Sequence, residues 1–196
     1  MIIDISSYNG KIDFKEMAAK ENIERVILRS TTKDGELDTR YIENINGILK
    51  ELPNDTQIDV YKFSYARNFA DAYVEAINLI QKLKYSGTFS FISLGRIWLD
   101  LEKWGDRDYT YKEAGEVIAA YSTVCANFHI PFGIYCNYNY LSCIIPRWAQ
   151  LFPIWLARWN SKMGNCEPFN VEIWQYTNKG KCAGIKGDVD ISRVVK

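Results

Sequence analysis

Strand-like apolar runs and stretches of helical spacing alternate along almost the whole chain. Residues 1–5 are apolar apart from Asp4 and run into the polar pair Ser6-Ser7. Tyr8-Asn9-Gly10 reads as a turn, and Asp13 as the N-cap of a helix reaching Lys20. Residues 25–30 predict a second strand. Asp34-Gly35 turns the chain into a helix from about Thr39 to Glu51, which Pro53-Asn54-Asp55 breaks. Residues 58–65 predict a third strand. Between Asn68 and Leu83 the apolar positions Phe69, Tyr73, Ala76, Ile77 and Ile80 recur at helical spacing. Residues 91–101 contain a fourth strand, 111–128 a further amphipathic helix, and 132–136 a fifth strand. Residues 154–158, 172–176 and 188–191 then read as strands with little helix between them.

Repeated strand–helix units predict a parallel α/β sheet, open or closed. Two observations favour closure. Polar or acidic residues stand at the C-terminal ends of nearly every expected strand: Asp4, Arg29, Tyr61 and Ser64, Asp100 and Glu102, Tyr135 and Asn137, Arg158 and Trp159, Gln175, and Asp190. In a barrel such ends converge on one mouth, where active sites are built. The chain also has no Gly-x-Gly-x-x-Gly after its first strand and no Gly-Lys-Ser/Thr, so nucleotide-binding open sheets lose support.

Composition narrows the partners. The 196 residues suffice for one domain with a substantial core, and residues 1–196 are read as a single unit. Basic and acidic residues balance at 24 each and form no basic stripe, which argues against nucleic acid. No run approaches the ~20 consecutive apolar residues of a membrane span, so no membrane partner is expected. The first residues have neither a charged n-region nor a long apolar h-region, so no signal peptide is expected. The 5 cysteines, Cys125, Cys136, Cys143, Cys166 and Cys182, are odd in number and form no C-x-x-C pair. Mostly free thiols are expected. His129 is the single histidine, which leaves no histidine-rich metal site, and neither metal nor cofactor is expected. Aromatics make up 14% of the chain, a supply of rings that can stack on sugars as well as fill a core.

The chemistry concentrates in Asp100-Leu101-Glu102, at the end of the apolar run Ile97-Trp98-Leu99. Side chains on a strand alternate faces, so Asp100 and Glu102 share one, with Cα atoms roughly 6.5–7 Å apart. Like charges at that distance push pKa values apart, and a desolvated site raises one further. One acid then stays protonated near neutrality while the other ionises. Glycosidic bond cleavage needs that division.

The acidic positions and the segments around them resemble glycoside hydrolase family 25, the Chalaropsis-type lysozymes (muramidases) that include many phage endolysins. The matching segments are Asp4-Ile5-Ser6-Ser7-Tyr8-Asn9-Gly10, Val60-Tyr61-Lys62-Phe63-Ser64 and Trp98-Leu99-Asp100-Leu101-Glu102. Further on come Gly133-Ile134-Tyr135-Cys136-Asn137, Pro153-Ile154-Trp155-Leu156-Ala157-Arg158-Trp159, and Ile173-Trp174-Gln175-Tyr176-Thr177 with Asp190-Ile191. They follow the family's order. The resemblance implies a modified TIM-type barrel, five β/α units followed by strands lacking regular helices. It implies cleavage of the β-1,4 bond between N-acetylmuramic acid and N-acetylglucosamine in bacterial peptidoglycan. The expected partner is then the glycan strand of the cell wall, attacked by a monomer from outside the cell or at phage lysis. The family's acidic cluster carries over onto Asp4, Asp100, Glu102 and Asp190. Many members have His where this chain has Lys62, whose side chain should point away from those of Tyr61 and Phe63.

Within that frame Glu102 is the expected general acid, its pKa raised by burial near Trp98 or Trp104 and by the field of Asp100. Asp100 is the partner carboxylate. Attack on the anomeric carbon, activation of water and steadying of the 2-acetamido group all remain open to it. Asp4 and Asp190 support the pair, and the hydroxyls of Tyr61 and Tyr135 can face the developing charge. Trp159, Trp174 and Gln175 fit a sugar-binding wall, with Trp155 assigned to the core. Arg29 pairs with an inward acid or with a substrate carboxylate. A wall-binding barrel without catalysis and a glycosidase acting on another N-acetylhexosamine polymer, such as chitin, are the alternatives.

Overall fold

The computed structural model describes residues 1–87, 94–159, 162–164 and 168–195. Strands β1 (Ile2–Ile5), β2 (Arg25–Arg29), β3 (Gln57–Phe63), β4 (Leu94–Asp100), β5 (Phe132–Asn137), β6 (Ile154–Ala157), β7 (Val171–Gly180) and β8 (Val189–Val194) close into a barrel in chain order. Helices α1 (Phe14–Lys20), α2 (Tyr41–Glu51), α3 (Phe69–Tyr85) and α4 (Tyr111–Asn127) follow β1 to β4 in turn. After β5 a π-helical turn at Tyr140–Ile144 and a 3-10 turn at Ala149–Leu151 stand where a fifth helix would be. No helix among the described residues is long and apolar enough to cross a membrane.

Strands β1 to β7 pair in parallel, but β8 runs antiparallel to both β7 and β1. The short connection between β7 and β8 contains no crossover helix, and a direct return must be antiparallel. Asp190 therefore lies near the start of β8, not at its end, and reaches the same mouth as Asp4, its register partner. β7 also extends to Gly180, beyond the expected strand over 172–176. Its polar arm Thr177-Asn178-Lys179-Gly180 lacks apolar alternation, yet pairs with Val189 and Ile191. Of the expected fourth strand, residues 91–93 lie outside the described residues.

Caps explain where three helices start. Asp13 accepts from the Glu16 N–H at 2.9 Å, Asn68 from Asp71 at 2.9 Å, and Thr110 forms a capping box with Glu113. Alternation then sorts the strand residues into two cores. Outward side chains such as Ile3, Leu28, Val60, Leu99 and Ile134 pack under the helices. Inward ones, Ile2, Ile27, Trp98, Tyr135, Trp155, Ala157 and Ile173, fill the barrel. Trp98 and Trp155 meet edge to face at 5.9 Å. Gly133 makes room for them, since a Cβ there would lie 2.4 Å from Trp98 Cζ3. Below, buried Asp59 accepts from Trp98 Nε1 at 2.8 Å and pairs with Arg25 at 3.1 Å. The barrel is plugged on that side and hollow at the other.

Cys125, Cys136, Cys143 and Cys182 are free thiols. Cys166 lies outside the described residues.

Candidate active site

The hollow end is a cavity of about 580 Å³ whose walls include Asp4, Asp100, Glu102 and Asp190. Each acid is delivered by a strand. Asp4 comes from β1, Asp190 from β8, and Asp100 is the last residue of β4. The ladder continues one step further, because Leu101 N–H donates to the Tyr135 carbonyl at 3.0 Å. Alternation therefore holds through Glu102, and both members of the pair line one cavity. Tyr61, Tyr135 and Trp155 complete the floor, while Tyr8, Tyr65 and Trp104 stand around the opening.

One chain of hydrogen bonds fixes the far wall. Trp159 Nε1, which can only donate, and the Tyr135 hydroxyl both reach Gln175 Oε1 at 3.0 Å. That orients the amide, so Gln175 Nε2 donates to Asp4 Oδ2 at 3.0 Å. Asp4 in turn shares a hydrogen bond with Asp190. Asp100 differs. It is 5% exposed, and its Oδ1 has no hydrogen-bond partner among the described residues. A buried carboxylate oxygen left without a donor costs about 1–3 kcal/mol or more, and is where a ligand gains most by binding.

Burial dominates the electrostatics. It pushes the Asp100 carboxyl well above the usual carboxylate range, and the charges of Glu102 and Asp4 push it further, opposed by Lys62. Asp4 is likewise pushed well up by burial and then by Asp190, against the hydrogen bond from Gln175. Glu102 is raised by burial and then by Asp190. The Asp100–Glu102 repulsion expected from the sequence is present, acting on Asp100, and Asp190, from the strand across the barrel, adds its own push on Glu102. Asp190 is raised by burial against the hydrogen bond it shares with Asp4. Four carboxyls in one desolvated cavity do not all ionise at neutral pH, so the cluster retains a proton as a coupled set. Burial also holds the Tyr61 and Tyr135 hydroxyls well above the ordinary phenol range, so both remain donors.

Most expected site residues converge here, with two adjustments. Trp174 does not join Trp159 and Gln175 in one wall. Adjacent residues on β7 face opposite ways: Gln175 points inward, while Trp174 lies under the Arg193 guanidinium at 4.5 Å and donates to the Arg158 carbonyl. Arg29 lines the cavity but pairs with none of the four acids. Its Nε bonds Asp38 Oδ2 at 2.7 Å, and its guanidinium lies 4.6 Å from the Tyr8 ring centre. Trp155 is core as expected, 2% exposed with its Nε1 on Ser192 Oγ, and also forms cavity floor.

Sequence reasoning missed Asp38, Tyr8, Lys33 and Tyr65. Asp38 carried a signal, an acid just before a helix, but it serves Arg29 as well as the Arg40 N–H. The other three sit on loops or strand extensions with no period to betray them. Among the described residues no group of three or more His, Cys, Asp or Glu side chains is placed to hold a metal ion. A larger groove of about 1100 Å³ lies between α1, α2 and residues 182–186. There Asp13 caps α1 and Glu16 pairs with Lys20, so that groove has no comparable buried acid cluster.

A barrel of seven parallel strands and one antiparallel strand, with a desolvated carboxyl cluster at its mouth ringed by aromatic side chains, defines a glycosidase-type site. The family profile for glycosyl hydrolases family 25 matches residues 3–185, and the chain belongs to that family of glycoside hydrolases. The modular autolysin LytC from Streptococcus pneumoniae has the same fold, with a TM-score of 0.84 at 24% identity. The match covers 97% of this chain and 45% of that one, so this chain spans less than half of the autolysin. The catalytic domain of endolysin ply40 from bacteriophage P40 of Listeria monocytogenes aligns with a TM-score of 0.75 at 20% identity, over 97% of this chain and 90% of that one. The bacterial lysozyme from Streptomyces coelicolor gives a TM-score of 0.69 at 19% identity, over 98% and 90%. No curated protein matches the sequence significantly.

Proposed function

We propose that this protein is a muramidase, hydrolysing the β-1,4 bond between N-acetylmuramic acid and N-acetylglucosamine in bacterial peptidoglycan. The observation that carries the reading is the inward pair Asp100 and Glu102 in a desolvated mouth, with Asp100 Oδ1 unpartnered, in a chain of family 25. Similar folds belong to endolysins and to a bacterial lysozyme, and LytC was solved with a synthetic peptidoglycan ligand. These support the choice of substrate.

Glu102 acts as the general acid. Less buried than Asp100 and raised by Asp190, it presents its proton to the leaving glycosidic oxygen. Asp100 works as the carboxylate, steadying positive charge at the anomeric carbon directly or through the 2-acetamido group. For this the cluster's proton must rest on Glu102, and positive charge developing beside Asp100 favours that placement. Asp4, held by Gln175, and Asp190 maintain the field. Tyr61 supplies a neutral donor, the Tyr135 hydroxyl being committed to Gln175 Oε1, and the exposed rings of Tyr8, Trp104 and Trp159 offer faces for sugars along the opening. A monomeric working unit, with residues 1–196 as the catalytic domain, is part of this proposal. It acts at the bacterial cell wall.

Mass spectrometry of digested peptidoglycan tests the reading. Products with N-acetylmuramic acid at the new reducing end are expected. N-Acetylglucosamine at that end, cleavage of chitin oligomers instead, or binding to walls without cleavage would each replace it.

A further inference from the structure

Lys62 is the one Lys or Arg side chain that is fully buried among the described residues, at 1% exposure. It lies on β3 between two residues that line the catalytic cavity, Tyr61 and Phe63, and its own side chain points to the helix side. No carboxylate among the described residues reaches its ammonium at ion-pair distance. Its Nζ donates to the Thr32 carbonyl at 2.8 Å and lies 5.3 Å from the centre of the Tyr65 ring. Thr32 and Tyr65 both line the catalytic cavity. A buried cation without an ion-pair partner is normally eliminated from a fold, because desolvation costs several kcal/mol. Such a residue needs a compensating role.

The register supplies one. Phe63, next to Lys62, pairs with Asp100, and Lys62 itself pairs with Leu99. The ammonium is thus held behind the strand end that carries Asp100, across the sheet from the acid cluster. Charged groups face it from several elements: Arg29 on β2, Lys33 and Asp34 in the loop that follows, Asp71 and Glu75 on α3, and Asp100. Glu75 is the charge that acts most strongly on Lys62, and it also accepts from the Tyr65 N–H and the Tyr121 hydroxyl. Asp100 has an oxygen with no donor and shares its cavity with Asp4, Glu102 and Asp190, and with Asp34 at the exposed edge. It has the greatest need of a positive charge.

Taking the proposed glycosidase role of Asp100 as its basis, we propose that Lys62 is a positioning residue: its buried ammonium ties the 31–34 loop to the end of β3 and holds Asp100 in its ionised form. The direction of its influence agrees, since Lys62 lowers the Asp100 pKa against burial and the other acids. Burial in turn lowers the Lys62 pKa. Ionised Asp100 leaves the cluster's proton to Glu102, where general acid catalysis requires it. Lys62 touches no reacting atom and acts through Asp100.

Two variants separate the charge from the tether. Lys62→Gln can still donate to the Thr32 carbonyl but carries no charge, whereas Lys62→Arg keeps both. Titration of the Asp100 carboxyl by 13C NMR reads the effect without any substrate. In Lys62→Gln it should move up by about half a pH unit or more, and the acid limb of kcat/KM on a soluble oligosaccharide should follow it. Lys62→Arg should stay near the wild type in both. An unchanged titration in folded Lys62→Gln overturns the proposal, as does an equal displacement in Lys62→Arg. If Lys62→Gln does not fold, 15N NMR of the wild-type Nζ decides. An ammonium that stays charged through the Asp100 titration upholds the proposal, and a neutral amine there ends it. A wild type that releases no sugar from peptidoglycan removes the function proposed above, while the carboxyl titration still decides for or against Lys62.

Discussion

At the scale of single residues, environment separates two carboxyls that the sequence presents as near equals. Asp100 and Glu102 were legible because a two-residue spacing on a strand puts side chains on one face, and the fold preserves that spacing. A difference between them was expected from burial, but the part that Asp190 plays in it was not legible, because that charge comes from a strand far along the chain. Replacing Glu102 by Gln should abolish wall lysis while leaving the fold intact, since the amide keeps the shape but has no proton to give. The loss should be at least ~10²–10⁴-fold in kcat, measured on purified walls alongside a circular dichroism spectrum. Near wild-type lysis by a folded variant would remove Glu102 from its role. The pH profile tests the neighbour. Glu102 works only while protonated, so the rate falls as pH rises through its apparent pKa. Burial and the charge of Asp190 hold that value up. Asp190→Asn deletes the charge and lets Glu102 ionise earlier, so the alkaline limb should move down by roughly half a pH unit or more. A limb that stays put would show that the Asp190 charge does not reach Glu102.

At the scale of elements, period and caps decided what could be read in advance. Helices α3 and α4 announce themselves by apolar spacing and α1 by Asp13 as its cap, and the structure starts α1 at the residue after Asp13. The reversal of β8 was hidden, because a strand's direction is not written in its own residues but in the length and content of the connection before it. The same reversal puts Asp190 beside Asp4. Tyr8, Lys33 and Tyr65 lie beyond the regular strands, where nothing repeats and no pattern flags them. A glycine shows how tightly the strands enclose the site. Gly133 sits against Trp98 with no room for a Cβ. Gly133→Ala should cost about 1–3 kcal/mol, read from denaturant midpoints, because a rigid indole wedged in the barrel has nowhere to go. A variant of unchanged stability would show that the inner core can give way there.

At the scale of the whole molecule, the barrel is a dry frame that forces charge into one place. Its lower half satisfies its acid: Asp59 has Arg25 and the Trp98 indole. The upper half leaves Asp100 short of donors beside Asp4, Glu102 and Asp190. Such an arrangement serves chemistry at the expense of stability, and pH exposes the balance. Below the ordinary carboxylate pKa, Asp100 is protonated both folded and unfolded, and its charge is irrelevant. Above that value the unfolded chain ionises freely, while the folded chain resists because burial and its neighbours raise the Asp100 pKa. The wild type therefore loses stability as pH rises from that point until it passes the folded value. Asp100→Asn has no such ionisation. Near pH 4 the two proteins should melt within a degree or so of each other, and toward pH 7 the variant should become the more stable. The gain should appear as a Tm difference that widens as pH rises through this interval. The same variant should be strongly impaired in lysis. A Tm difference that does not grow with pH, or that favours the wild type at pH 7, would mean that Asp100 ionises in the folded protein without penalty, and that the cavity is less desolvated than its walls imply.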